Sequence, residues 1–260
     1  QCAVNFVVAG RKAFWVAPEL VELLAHTTLD ISGDLLKLPF PACAFIFKDP
    51  ATLQLAHRIA DSARGQRNAP FQVVTVYACP IPFEYADPGV RFAFLFDAFD
   101  GEWPYLVQRD IPTDGTRSIE EILTSHPKES DDPFFRSAEL GELVHLTINA
   151  LLYTTSDSFR SELRAPASRG RPTAAKNLSG EKVYYLPGKI PISHDASSDG
   201  AAERAMSRRP IGKRFWVRGH WRQANTSWKD QRLRWIAPYG KGPEMAVVVE
   251  RVAVPSDRGS

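Results

Sequence analysis

Leu140 to Tyr153, LGELVHLTINALLY, is the longest apolar periodic stretch of the chain, and it reads as a core helix. A helix that apolar has to be enclosed by other elements, so the rest of the chain must supply its cover. His145 and Asn149 sit one turn apart on it. That spacing suits a metal or catalytic pair, but no third ligand accompanies them, and a satisfied pair on the helix face accounts for both.

Cover is available on both sides of this stretch in sequence. Pro18 followed by ELVELLAHT gives a proline-started amphipathic helix with Leu20, Leu23 and Leu24 on one stripe and Glu19 in the first turn. Leu38-Pro39-Phe40-Pro41 breaks the chain, Ala42 to Phe47 reads as a buried strand, and a second helix is expected at Leu53 to Ser62. Phe71 to Tyr77 and Val90 to Phe99 alternate as strands. Asp100-Gly101 between FAFLFDAF and WPYLV signals a hairpin, with Pro104 demoting the second run to a sheet edge. Ser118 to Glu121 is a capping box opening a short helix, because the serine oxygen can take the free amide three residues on while the glutamate reaches back.

Beyond Phe159 the composition shifts. Residues 159–177 and 193–200 are rich in arginine, proline, serine and alanine and read as loops, with KVYYLPGKIPI between them offering one or two short strands. RFWVRG, RLRWIAP and MAVVVERVAV then give three strand candidates. The expected organisation is a single α+β domain with an antiparallel-rich sheet and a few packed helices. Residues 1–158 form its core, 159–207 a basic loop-rich segment with short strands, and 208–260 a basic, tryptophan-rich β segment of the same domain. At 260 residues and 44% hydrophobic content the chain can bury a full core. No apolar run approaches the roughly 18 to 20 residues that span a bilayer, and no secretory signal opens the chain, so a cytoplasmic protein is expected. Cys2, Cys43 and Cys79 lie in apolar surroundings without CxxC spacing and read as reduced core thiols, not a disulfide frame or zinc site.

The strongest functional signal is Arg208 to Lys241, which holds ten Lys/Arg, four of the six tryptophans and His220 against one acid, Asp230. Residues 160–241 carry eighteen Lys/Arg against six Asp/Glu, a balance of +12, which leaves −10 for the remainder of a chain whose net charge is +2. A chain so divided suits an anionic partner at one end, unless the two ends pair with each other. Arginine forks and tryptophan faces together serve phosphate contact, base stacking or the clamping of an acidic or aromatic peptide. The candidate binding residues are Arg214, Trp216, Arg218, Gly219, His220, Trp221, Arg222, Trp235 and Lys241. On a strand, Arg218, His220 and Arg222 share one face while Val217, Gly219 and Trp221 share the other. Two or more of Trp216, Trp221, Trp228 and Trp235 are expected in packing rather than on the surface.

Catalytic signatures are sparse. There is no GxSxG, P-loop, GxGxxG or HExxH, and no motif implies a cofactor or metal. Asp97, Asp100 and Glu102 resemble a carboxylate cluster, but Asp-Gly is expected there on turn grounds alone. His220 is the one catalytic candidate: two flanking guanidiniums disfavour its protonation, which would suit the general base of a ribonuclease-like site, yet no nucleophile or second acid-base group is identifiable. A binding role, an RNA-cleaving enzyme and a DNA-binding regulator without a helix-turn-helix thus stand as the readings of the residues.

The block FWVRGHWRQ followed by RLRWIAPYGKGPE resembles a family of phage and plasmid proteins that includes a type V-A anti-CRISPR protein. LKLPFPACAFIF, FAFLFDAFDGEW, SIEEIL and LVHLTINALLYTT support it in the same order, over roughly residues 30–245. Arg218, Gly219, His220 and Trp221 match the shared motif, Trp235 matches a tryptophan after the spacer, and IAPYGKGPE departs from the anti-CRISPR member. The resemblance implies a mobile-element protein in the bacterial cytoplasm that acts on gene expression. Its partner would be RNA or a nascent peptide on a ribosome-associated complex, and the characterised relative is understood to recognise the nascent N-terminal segment of a CRISPR effector and to cause loss of its messenger RNA.

Overall fold

Four consecutive apolar strands generate the antiparallel half of the main sheet: β3 (Cys43–Phe47), β4 (Val73–Pro80), β5 (Gly89–Asp97) and β6 (Tyr105–Pro112). The computed structural model describes residues 1–64, 70–82, 88–98, 105–113, 115–125, 138–159, 182–186, 215–227 and 229–241. β6 pairs with β5 from Phe96↔Tyr105 to Gly89↔Pro112 and forms the sheet edge, the place expected for a strand entered through Pro104. The hairpin turn expected at Asp100-Gly101, with Glu102 beside it, falls outside the described residues.

The other half of the sheet is parallel, which the sequence reading did not anticipate. β1 (Lys12–Val16) pairs with β3 on one side and with β7 (Lys182–Leu186) on the other, both in parallel, giving the order β6-β5-β4-β3-β1-β7. β1 follows α1 (Cys2–Val8) through Gly10 at φ 82° and Arg11 at φ 52°, a left-handed reversal that glycine enters without steric cost. The short strand expected at KVYYL is β7, and what the sequence did not show is that it joins the main sheet beside β1.

Alternation decides what each face of the sheet meets. Phe14, Phe45, Phe47, Val74, Val76, Phe92, Phe94 and Phe96 enter the large core, where they join α2 (Pro18–Ala25), α3 (Pro50–Arg64) and α5 (Ala138–Thr155). The opposite face carries small residues, Ala13, Ala44, Cys79 and Ala93, and α1 lies against it through Cys2 and Phe6. α5 is buried along most of its length, from Leu140 through Thr154, as a helix without a polar stripe requires. α4 (Ile119–Thr124) starts from a complete capping box: Ser118 Oγ accepts from the Glu121 amide at 3.1 Å, and Glu121 Oε2 accepts from the Ser118 amide at 2.7 Å. The fold is a single α+β domain. Among the described residues no helix is long and apolar enough to cross a membrane.

Candidate recognition face

The C-terminal cations and tryptophans are carried by one antiparallel hairpin. β8 (Phe215–Val217) pairs with β11 (Tyr239–Lys241), and β9 (Gly219–Arg222) pairs with β10 (Arg234–Ile236). The two pairings keep one register, from Phe215↔Lys241 through Val217↔Tyr239 to His220↔Ile236 and Arg222↔Arg234. What divides them is Pro238, which has no N–H to give the ladder. At that break the Gly219 amide turns to the carbonyl of His26 at 3.0 Å, and β2 (Thr27–Thr28) adds to β9 in parallel.

The inward side of the hairpin is a packed aromatic anchor. Trp221 and Trp235 face each other across the ladder with ring centroids 6.2 Å apart, and Tyr153 of α5 meets Trp235 edge-on at 5.4 Å. Both indole N–H groups are satisfied. Trp221 Nε1 donates to Asn149 Oδ1 at 2.7 Å, and Trp235 Nε1 donates to Thr27 Oγ1 at 3.1 Å. The Asn149 amide nitrogen donates in turn to the carbonyls of Leu24 at 3.2 Å and Thr27 at 3.1 Å, so acceptors on one side and the indole on the other fix its orientation. Asn149, fully buried, therefore ties α5, the end of α2 and the hairpin together. A Cβ on Gly219 would stand 2.5 Å from Thr27 Oγ1 and 2.8 Å from Pro238 Cδ, which explains the glycine by close approach.

The outward side is different in kind. Trp216, Arg218, His220 and Arg222 occupy alternate positions and are all exposed, whereas Gly219 and Trp221 are buried. Arg234, across from Arg222, is also exposed and pairs with Asp157 at the end of α5 at 3.3 Å. Farther along the connection, Arg232 is held by both carboxylate oxygens of Asp230, whose pKa is driven down first by that side-chain hydrogen bond and then by the Arg232 backbone amide. His145 lies half-buried beside the anchor, its Nδ1 3.4 Å from the Asn149 amide nitrogen. Burial lowers its pKa, Arg218 adds to that, and Glu120 opposes it.

These placements correct the sequence expectation for three residues. Gly219, Trp221 and Trp235 are not surface contacts: the glycine admits Thr27, and the two tryptophans are the hairpin's attachment to the core. Trp216, by contrast, stands 52% exposed. Arg214 and Trp228 lie outside the described residues, as does the side chain of Lys241. Sequence reasoning did not single out Thr27, and it treated Asn149 only as a helix-face partner of His145. An asparagine inside an otherwise apolar helix was the available signal for the anchor, since a buried amide demands partners. Among the described residues no cluster of three or more histidine, cysteine or acidic side chains could hold a metal ion.

A row of cations and an aromatic thus stands exposed on a hairpin whose other side is packed into an α+β core. Residues 14–239 match the family model described as AcrVA2-like, the anti-CRISPR type V subtype A2 family, and the chain belongs to that family. No curated protein and no solved structure matches it.

Proposed function

We propose that this anti-CRISPR protein acts inside the bacterial host cell by recognition rather than catalysis, and that its partner is the effector polypeptide of a type V-A system as it emerges from the ribosome. The observation that carries the reading is the exposed row Trp216, Arg218, His220 and Arg222, backed by the buried Trp221 and Trp235. Six residue steps along a strand extend about 20 Å, the reach of a short extended peptide. Arginine forks bind carboxylates in two-point fashion, and an exposed indole adds a flat apolar seat beside them.

The test uses ribosomes stalled on effector messages and the purified protein. Arg218→Ala should weaken capture of the nascent-chain complex by about tenfold, and Arg218→Lys nearly as much, because lysine keeps the charge and loses the planar fork. Both variants should melt within about 2 °C of wild type, since the side chain is exposed. Full capture by the lysine variant overturns recognition by the fork. Capture that survives puromycin release of the polypeptide but is lost after ribonuclease treatment assigns the face to RNA and overturns the peptide reading.

A further inference from the structure

On the side of the sheet away from the large core, two thiols from distant parts of the chain meet. Cys2, the first residue of α1, and Cys79, on β4, have their sulfurs 3.0 Å apart. Both are buried, at 4% and 1% exposure, in a small cluster with Ala42 and Ala93. Cys43 is not a third member, because it faces the large core from β3. Nothing in the recognition face uses this pair.

We propose that Cys2 and Cys79 are an oxidisable dithiol site whose substrate is hydrogen peroxide, and that their disulfide locks α1 onto the sheet. Peroxide suits the site because the oxidant reaching two buried sulfurs must be small. We take Cys79 as the nucleophile: the 3.0 Å contact with Cys2 lowers its pKa, and Asn5 and Arg91 add to this against the opposing effect of burial. The same contact and burial push the Cys2 thiol up. The Cys79 thiolate attacks one peroxide oxygen and breaks the O–O bond. This yields a sulfenic acid at Cys79 and a hydroxide, which becomes water by taking the Cys2 proton. The Cys2 thiolate then attacks the Cys79 sulfur and expels hydroxide, which takes up the proton Cys79 had released and leaves as a second water. Two thiols are oxidised to one disulfide while one peroxide is reduced to two waters. Bond formation needs about 1 Å of closure between the sulfurs.

The experiment treats the native, reduced full chain with hydrogen peroxide and counts thiols after unfolding in denaturant. The expected count falls from three to one, and peptide mapping without reductant finds the Cys2 peptide joined to the Cys79 peptide. Melting temperature should rise by at least about 2 °C, reversibly with dithiothreitol, because the crosslink closes a long loop. Cys43→Ala should behave as wild type, and Cys2→Ala and Cys79→Ala should each form no crosslink within the chain. Three surviving thiols, a crosslink through Cys43 or between chains, or a crosslink that forms only in denaturant overturns the site. An oxidised protein with unchanged melting temperature overturns the locking of α1.

Discussion

Replacing Asn149 by alanine should detach the hairpin's anchor without touching the exposed row. The change leaves Trp221 Nε1, now satisfied at 2.7 Å, as a buried donor without an acceptor. It also removes the amide that serves the carbonyls of Leu24 and Thr27, although Leu24 keeps the His26 amide as a donor. An orphaned buried polar group costs about 1–3 kcal/mol, so the indole and the Thr27 carbonyl together point to a loss of about 3 kcal/mol. For a chain of this size that is a fall in melting temperature of about 6–12 °C. The decisive measurement is a double-mutant cycle with Trp221→Phe, read by chemical denaturation. Phenylalanine keeps an aromatic ring but has no N–H, so the single mutant orphans Asn149 Oδ1, whereas the double mutant leaves neither group stranded. The two losses should therefore overlap by about 1–2 kcal/mol. Additivity within about 0.5 kcal/mol would refute the claim that this hydrogen bond couples α5 to the hairpin.

Gly219→Ala should cost about 1–3 kcal/mol in urea denaturation, because the new methyl meets Thr27 Oγ1 and Pro238 Cδ at 2.5 and 2.8 Å. Ser118→Ala removes half of a capping box and should cost about 1 kcal/mol by the same measurement. His145 should make the fold acid-sensitive: its folded pKa lies below the unfolded value, so the unfolded chain binds the proton more readily, and stability present above about pH 6.5 is lost as pH falls. Melting temperatures of wild type and His145→Gln between pH 5 and 7.5 check this, with a shallower acid slope expected in the variant and identical slopes counting against it.

Legibility in the sequence followed how local each determinant is. The α5 helix, the Ser118–Glu121 box and the β5–β6 pairing rest on periodicity or on contacts a few residues apart, and the residues themselves announce them. β1 has no such announcement, since KAFWV is buried on both faces and lacks clean alternation. β2 is two residues long and exists only because β9 lies beside it. The division of Arg218, His220 and Arg222 from Gly219 and Trp221 was readable from a period of two. Their receptor was not: Thr27 and Asn149 are distant in sequence, and no pattern around Thr27 marks it as a seat for an indole. Nor could the shared register of β8–β11 and β9–β10 be read, because the strand candidate RLRWIAP ends at Pro238 and nothing in Tyr239–Lys241 marked a further strand.

The reach of the anchor also sets a timetable for folding. Thr28 and Gly219 are 191 residues apart and Thr27 and Trp235 are 208 apart, so the N-terminal elements wait for partners from the far end of the chain. At about 5–20 residues per second of synthesis, the interval between Thr27 and Trp235 is about 10–40 s. Throughout it, the Thr27 hydroxyl that later receives the hairpin stays hydrated or pairs elsewhere; Asn149 follows Thr27 by 122 residues and then waits in its turn, and the β1 edge is open until β7 is made. Such distant pairing belongs to slow-folding topologies. The hairpin is therefore anchored late, only once Trp235 has been made.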